Sequence, residues 1–105
     1  MAKFLLAYHG GGMPETEEEQ AKVMAAWGEW YGKLGAAVVD PGNPVGQTKT
    51  VAADGGVSAG AGASPISGYT IVEAADIDAA TDMAKSCPVL LGGASIEVAE
   101  TFDVM

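Results

Sequence analysis

The sequence predicts an α+β fold in which two helices lie on one face of an antiparallel sheet. Three observations carry this. Strand-like and helix-like periodicities follow one another along the 105 residues in the order β-α-β-hairpin-β-α-β. Each helical stripe sits between two strands, and right-handed crossovers land both helices on the same side of the sheet. Glycine, proline or aspartate marks the changes from one period to the next.

The first strand is "KFLLAYH". Phe4, Leu6 and Tyr8 share one face and Leu5, Ala7 and His9 the other, so both faces stay apolar until His9. That pattern predicts a central strand. Gly10 to Gly12 end it. Thr16 and Glu19 then have capping-box spacing, and Glu17 and Glu18 favour the positive end of a helix. Val23, Trp27, Trp30, Tyr31 and Leu34 form its apolar stripe, and Gly35 stops it.

The segment "AAVVDPGNPV" reads as a short strand running into a Pro-Gly turn. "TKTVAADGGVSAG" reads as a hairpin turning at Asp54-Gly55, and the Gly/Ala/Ser stretch up to Ser67 as a mobile loop. "GYTIVEA" is the next strand. Asp76 caps a second helix whose expected buried stripe is Ile77, Ala80, Ala84 and Cys87, ending at Pro88. "ASIEVAETF" closes the sheet, with Ile96, Val98 and Phe102 expected on one face and Glu97, Ala99 and Thr101 on the other. The arrangement is a ferredoxin-like split βαβ, read as a single domain spanning residues 1–105. Its second sheet face has no helix to cover it, and a second copy of the chain in a twofold dimer is the simplest cover.

Composition narrows the partners. Five Lys and Arg against 14 Asp and Glu give a formal charge of −9, the wrong sign for a phosphate backbone or an anionic membrane surface. No apolar run approaches the roughly 18 residues of a membrane span. The opening "MAKFLLAYHGG" reads as a first strand rather than a signal peptide. One cysteine provides no disulfide framework and fits a reducing cytoplasm. With one His and one Cys, no usual zinc site is expected within a subunit, and no cofactor motif is present. Charged residues make up only 18%, which points to surface buried between subunits in a homodimer.

Several side chains are candidates for chemistry. His9 has the type of group that exchanges protons near neutral pH, and it stands at a strand end. Its alternative role is a strand-end residue on the outer sheet face, because Phe4, Leu6 and Tyr8 are better suited to meet the helices. Asp40 ends the second strand, which is expected beside the first, and so is the candidate partner of His9; its alternative role is a turn aspartate bonding its own backbone. Asn43 has the same two readings. Trp27 and Tyr31 on the first helix, with Tyr69 at the start of a strand, are candidates to line a pocket for a flat molecule, against ordinary core packing. The triglycine lacks the lysine and the spacing of a phosphate loop. Cys87 is expected to be an inert, half-buried thiol.

The order and spacing of "KFLLAYHG", "MAAWGEWYGKLGAAVVDPGNPVGQTKTV" and "SGYTIVEAADIDAATDMAKSCPVLLGGASIEVAETF" resemble the YCII-related proteins, the group that includes the DGPF-type small proteins. The resemblance covers nearly the whole chain. It implies the dimeric α+β barrel arrangement. The family's His-Asp pair, whose His lies on the first helix, is not carried over, since that helix has no His here. The DGPF stretch is replaced by "SAGAGASPISGY". The wider superfamily includes isomerases and oxygenases of small cyclic compounds. The expected function is binding of a small apolar or aromatic molecule in a cleft between sheet and helices. The alternatives are cofactor-independent proton-transfer catalysis through His9 or Asp40, and a dimer that acts through partner contacts.

Overall fold

The computed structural model describes residues 2–12, 15–60 and 65–104. They form an α+β fold with two helices and an antiparallel sheet, compatible with a ferredoxin-like arrangement. The main sheet holds β1 (Ala2–His9), β2 (Val38–Asp40), β5 (Ile66–Ala74) and β6 (Ser95–Glu100) in the order β2-β5-β1-β6. Between β2 and β5 the chain makes a separate two-stranded ribbon, β3 (Lys49–Val51) and β4 (Val57–Ala59). The expected hairpin is therefore present, but among the described residues it joins no other strand. Its turn is closed by Asp54, whose Oδ1 accepts from the Gly56 N–H at 2.8 Å. Part of the Gly/Ala loop expected before Ser67, residues 61–64, lies outside the described residues.

The strand order corrects one expectation. β2 does not flank β1, because β5 inserts between them and pairs antiparallel with both. A split βαβ unit leaves room for one strand between its two parallel ones, and β5 fills it. β1 is central, paired with β5 through Leu6↔Thr70 and with β6 through Leu6↔Val98.

Helix α1 (Glu17–Leu34) starts where the Thr16 side chain accepts from the Glu19 N–H at 3.1 Å. It ends at Gly35, whose N–H returns to the Tyr31 carbonyl. Helix α2 (Ile77–Lys85) starts at Asp76, whose Oδ1 accepts from the Ala79 N–H at 2.8 Å. Both helices cover the Phe4/Leu6/Tyr8 face, as the bulk of those side chains requires. The core joins these three to Val72 and Ala74 of β5, Trp30 of α1, Ala80 and Ala84 of α2, and Cys87. Small residues on α2 let it sit close to the sheet. Trp30 fills the space between the helices and anchors its indole N–H on the Met83 carbonyl at 3.0 Å.

Two expected core positions are not buried. Ile77 is 46% exposed, because it stands in the first turn of α2, outside the span where the helix meets the sheet. Phe102 is 79% exposed, because β6 ends at Glu100 and the chain leaves the sheet after Thr101 bonds to the Lys3 carbonyl. After α2, Pro88–Gly92 form a short 3₁₀ turn that leads into β6. No helix among the described residues is long and apolar enough to cross a membrane.

Candidate functional site

A cleft of about 980 Å³ lies between α1 and the ends of β1 and β5. Its floor is Tyr8. Its α1 wall is Val23, Trp27 and Tyr31, and its other sides are Gly10–Gly12, the Pro41–Val45 turn and the Pro88–Gly92 turn. Three pieces of local chain geometry hold it open. Gly10 and Gly11 adopt φ of 72° and 83°, a left-handed conformation that turns the chain sharply off the end of β1. The Gly12 N–H then fastens this segment to the Gly92 carbonyl at 3.2 Å. Gly42 has φ 76°, and a Cβ there would lie 1.6 Å from the Tyr69 carbonyl oxygen, so only glycine permits this turn to lie against β5.

The aromatic wall is a connected cluster. Trp27 meets Tyr8 edge-on at 5.9 Å between ring centroids and Trp30 edge-on at 5.6 Å. Tyr31 tilts against Trp27 at 5.6 Å. These are ordinary favourable ring geometries, and they fix the wall in place. Trp30 is buried, whereas Trp27 and Tyr31 are only half-buried. The one stripe thus divides between core and cleft.

Beneath the wall runs a chain of hydrogen bonds. The Cys87 thiol donates to the Tyr8 hydroxyl at 3.6 Å, and Tyr8 donates to Thr70 Oγ1 at 2.6 Å. Thr70 donates to the Pro41 carbonyl at 3.0 Å, and Tyr31 donates to the same carbonyl at 3.2 Å. Thr70 is fully buried. The network links α1, the Pro41 turn, β1 and β5, the elements around the cleft. Burial raises the pKa of Tyr8 far above the usual phenol range, against the opposing effect of its bond to Thr70. Burial also raises Tyr31 and the Cys87 thiol. All three stay neutral near pH 7.

The expected site residues separate into two groups. Trp27, Tyr31, Asn43 and Tyr69 all border the cleft. Tyr69 does so from the first half of β5 beside Gly42; in register it stands opposite Ala7, on the sheet face away from the helices. His9 and Asp40 are not part of the cleft lining. His9 follows Leu5 and Ala7 on the far face, where its Nε2 lies 2.8 Å from Glu97 Oε1. Asp40 Oδ1 accepts from the Gly42 N–H at 2.8 Å, the turn geometry that was the alternative role for this residue. The proposed His9–Asp40 pair is not assembled: β5 stands between their strands, and each carboxylate or imidazole has another neighbour.

Sequence reasoning missed Glu97 as the neighbour of His9, and it missed Thr70 altogether. Glu97 was on the correct face of β6, but its register against β1 is not written in the sequence. Thr70 had a readable signal. A hydroxyl at a core-facing position of a strand needs a buried partner, and Tyr8 is the strand residue that offers one.

No family model matches the chain, and no curated protein matches it.

Proposed function

We propose that this protein binds a small apolar or aromatic molecule in the cleft between α1 and the sheet. The observation that carries the reading is the half-buried Trp27–Tyr31 wall over a Tyr8 floor, in a cavity of about 980 Å³. A space of that size holds a drug-sized ligand, and its mostly apolar lining with a few polar groups is the usual make-up of such a site. Asn43 borders the cleft, and the glycine segment allows close backbone approach. The catalytic alternative is less well supported, because its two proton-transfer candidates lie outside the cleft and the phenols within it are held neutral.

The reading extends to assembly. The chain is a cytoplasmic, YCII-related protein that works as a homodimer, with the open sheet faces of two copies packed together as in a dimeric α+β barrel. The open face supports this. Leu5, Ala7, Tyr69 and Ile71 give it an apolar centre, and Lys3 lies opposite Glu73 near one end of the two inner strands. The molecule is only 18 Å thick in its short direction, and its 15.1 Å radius of gyration exceeds the ~13 Å of a compact 100-residue domain. Sedimentation at micromolar concentration should give a dimer; a monomer there contradicts this part.

The binding reading is tested by isothermal titration with a panel of small aromatic molecules, on the parent and on Val23→Trp. Val23 is a half-buried residue on the α1 wall, so the larger ring fills the cleft without entering the core. Saturable binding that the variant loses is the expected result. Absence of any saturable binding, or binding that Val23→Trp leaves intact, contradicts it.

A further inference from the structure

We infer that the ligand of the cleft is an organic cation: an aromatic or compact apolar amine or quaternary ammonium. The inference rests on the binding reading above and adds the charge of the ligand.

The first ground is what the wall offers to a ligand. Both phenolic protons are already bonded within the protein: Tyr8 gives its proton to Thr70 at 2.6 Å and Tyr31 gives its proton to the Pro41 carbonyl at 3.2 Å. The phenols therefore present ring faces and oxygen lone pairs, not donated protons. Burial raises both pKa values, so neither becomes a phenolate that would change this. Ring faces carry negative charge density and attract cations, most strongly at Trp. An anionic ligand would find no free donor in these two phenols.

The second ground is charge. The ionised side chains on the cleft lining are Glu19 and Lys22. Lys22 stands one turn after Glu18, with its Nζ 3.8 Å from that carboxylate, which offsets its charge. Glu17, Glu18 and Glu19 crowd the first turn of α1 and outweigh the positive end of the helix. The chain as a whole carries −9, so the field at the mouth favours a cation. Aromatic faces and an acidic approach together are the arrangement that recognises ammonium groups.

The test compares three probes of similar size by isothermal titration at low salt: benzyltrimethylammonium, benzyl alcohol and phenylacetate. The cation should bind about tenfold more tightly than benzyl alcohol, and phenylacetate should bind most weakly. The cation's affinity should fall as salt is added and should drop about two- to threefold in Glu19→Gln. Quenching of Trp27 fluorescence, read in a Trp30→Phe variant, places each probe in the cleft independently of Val23→Trp. Benzyl alcohol binding in the cleft as tightly as the cation overturns the charge assignment and leaves the cleft reading standing; so does phenylacetate binding tightest. If none of the three binds in the cleft, the cation inference and the binding reading both fail.

Discussion

Replacing Thr70 with valine removes one oxygen and keeps the shape of the side chain. Thr70 is fully buried at the centre of the hydrogen-bond chain under the cleft. In the variant, the Tyr8 hydroxyl keeps its proton but loses the acceptor at 2.6 Å, and it is 4% exposed, so water cannot replace it. Leaving a buried donor unpaired costs about 1–3 kcal/mol. The Pro41 carbonyl loses its 3.0 Å bond from Thr70 but keeps that from Tyr31, which adds a net loss of about 1 kcal/mol or less. Thr70→Val should therefore destabilise by about 1–4 kcal/mol. Tyr8→Phe should cost less, because Thr70 retains its bond to Pro41. In the double variant no orphaned hydroxyl remains, so its loss should be smaller than the sum of the two single losses. Urea melts that follow fluorescence give all three values, provided the slopes agree. A Thr70→Val loss under about 0.5 kcal/mol, or strict additivity in the double variant, would refute the reasoning.

Three further outcomes are expected. Gly42→Ala should destabilise by more than about 2 kcal/mol, since its φ is 76° and the new Cβ meets the Tyr69 carbonyl at 1.6 Å; a neutral melt would mean that this turn does not lie against β5. Trp30→Ala should cost about 3–5 kcal/mol as a core tryptophan, and Trp27→Ala less, about 1–3 kcal/mol, because Trp27 is half-exposed to the cleft; equal losses in paired melts would contradict that division. For pH, the folded pKa of Cys87 lies above its ordinary 9.0, because burial disfavours the thiolate. The unfolded chain then releases this proton first as pH rises, so the stabilisation is complete below pH 9.0 and is lost as pH climbs toward the folded value. Urea midpoints should decline above that pH, and Cys87→Ala should show a shallower decline; identical slopes for the two proteins would remove the thiol from the account.

The fold was legible where local rules decide it. Thr16, Asp76 and Gly35 announced helix ends through capping chemistry, and the Phe4/Leu6/Tyr8 alternation correctly identified the face that meets the helices. Half of the site was legible for the same reason: Trp27, Tyr31 and Asn43 border the cleft because stripe and turn positions can be read from spacing. What failed needed register or long-range order. Placing Asp40 near His9 assumed adjacent strands, but the position of β5 is set by packing across the whole sheet. The 2.8 Å approach of Glu97 to His9 depends on a one-residue choice of register that alternation alone does not fix. Ile77 and Phe102 fitted apolar stripes at points where their elements no longer face the core.

The most direct test of the cleft as the ligand site is a crystal of the protein soaked with a mixture of cationic, neutral and anionic small aromatic molecules. The account predicts density in the cleft against Trp27 and Tyr31, above Tyr8, with a cationic member of the mixture bound there. An empty cleft, with density only on the open sheet face around His9 and Glu97, would contradict it.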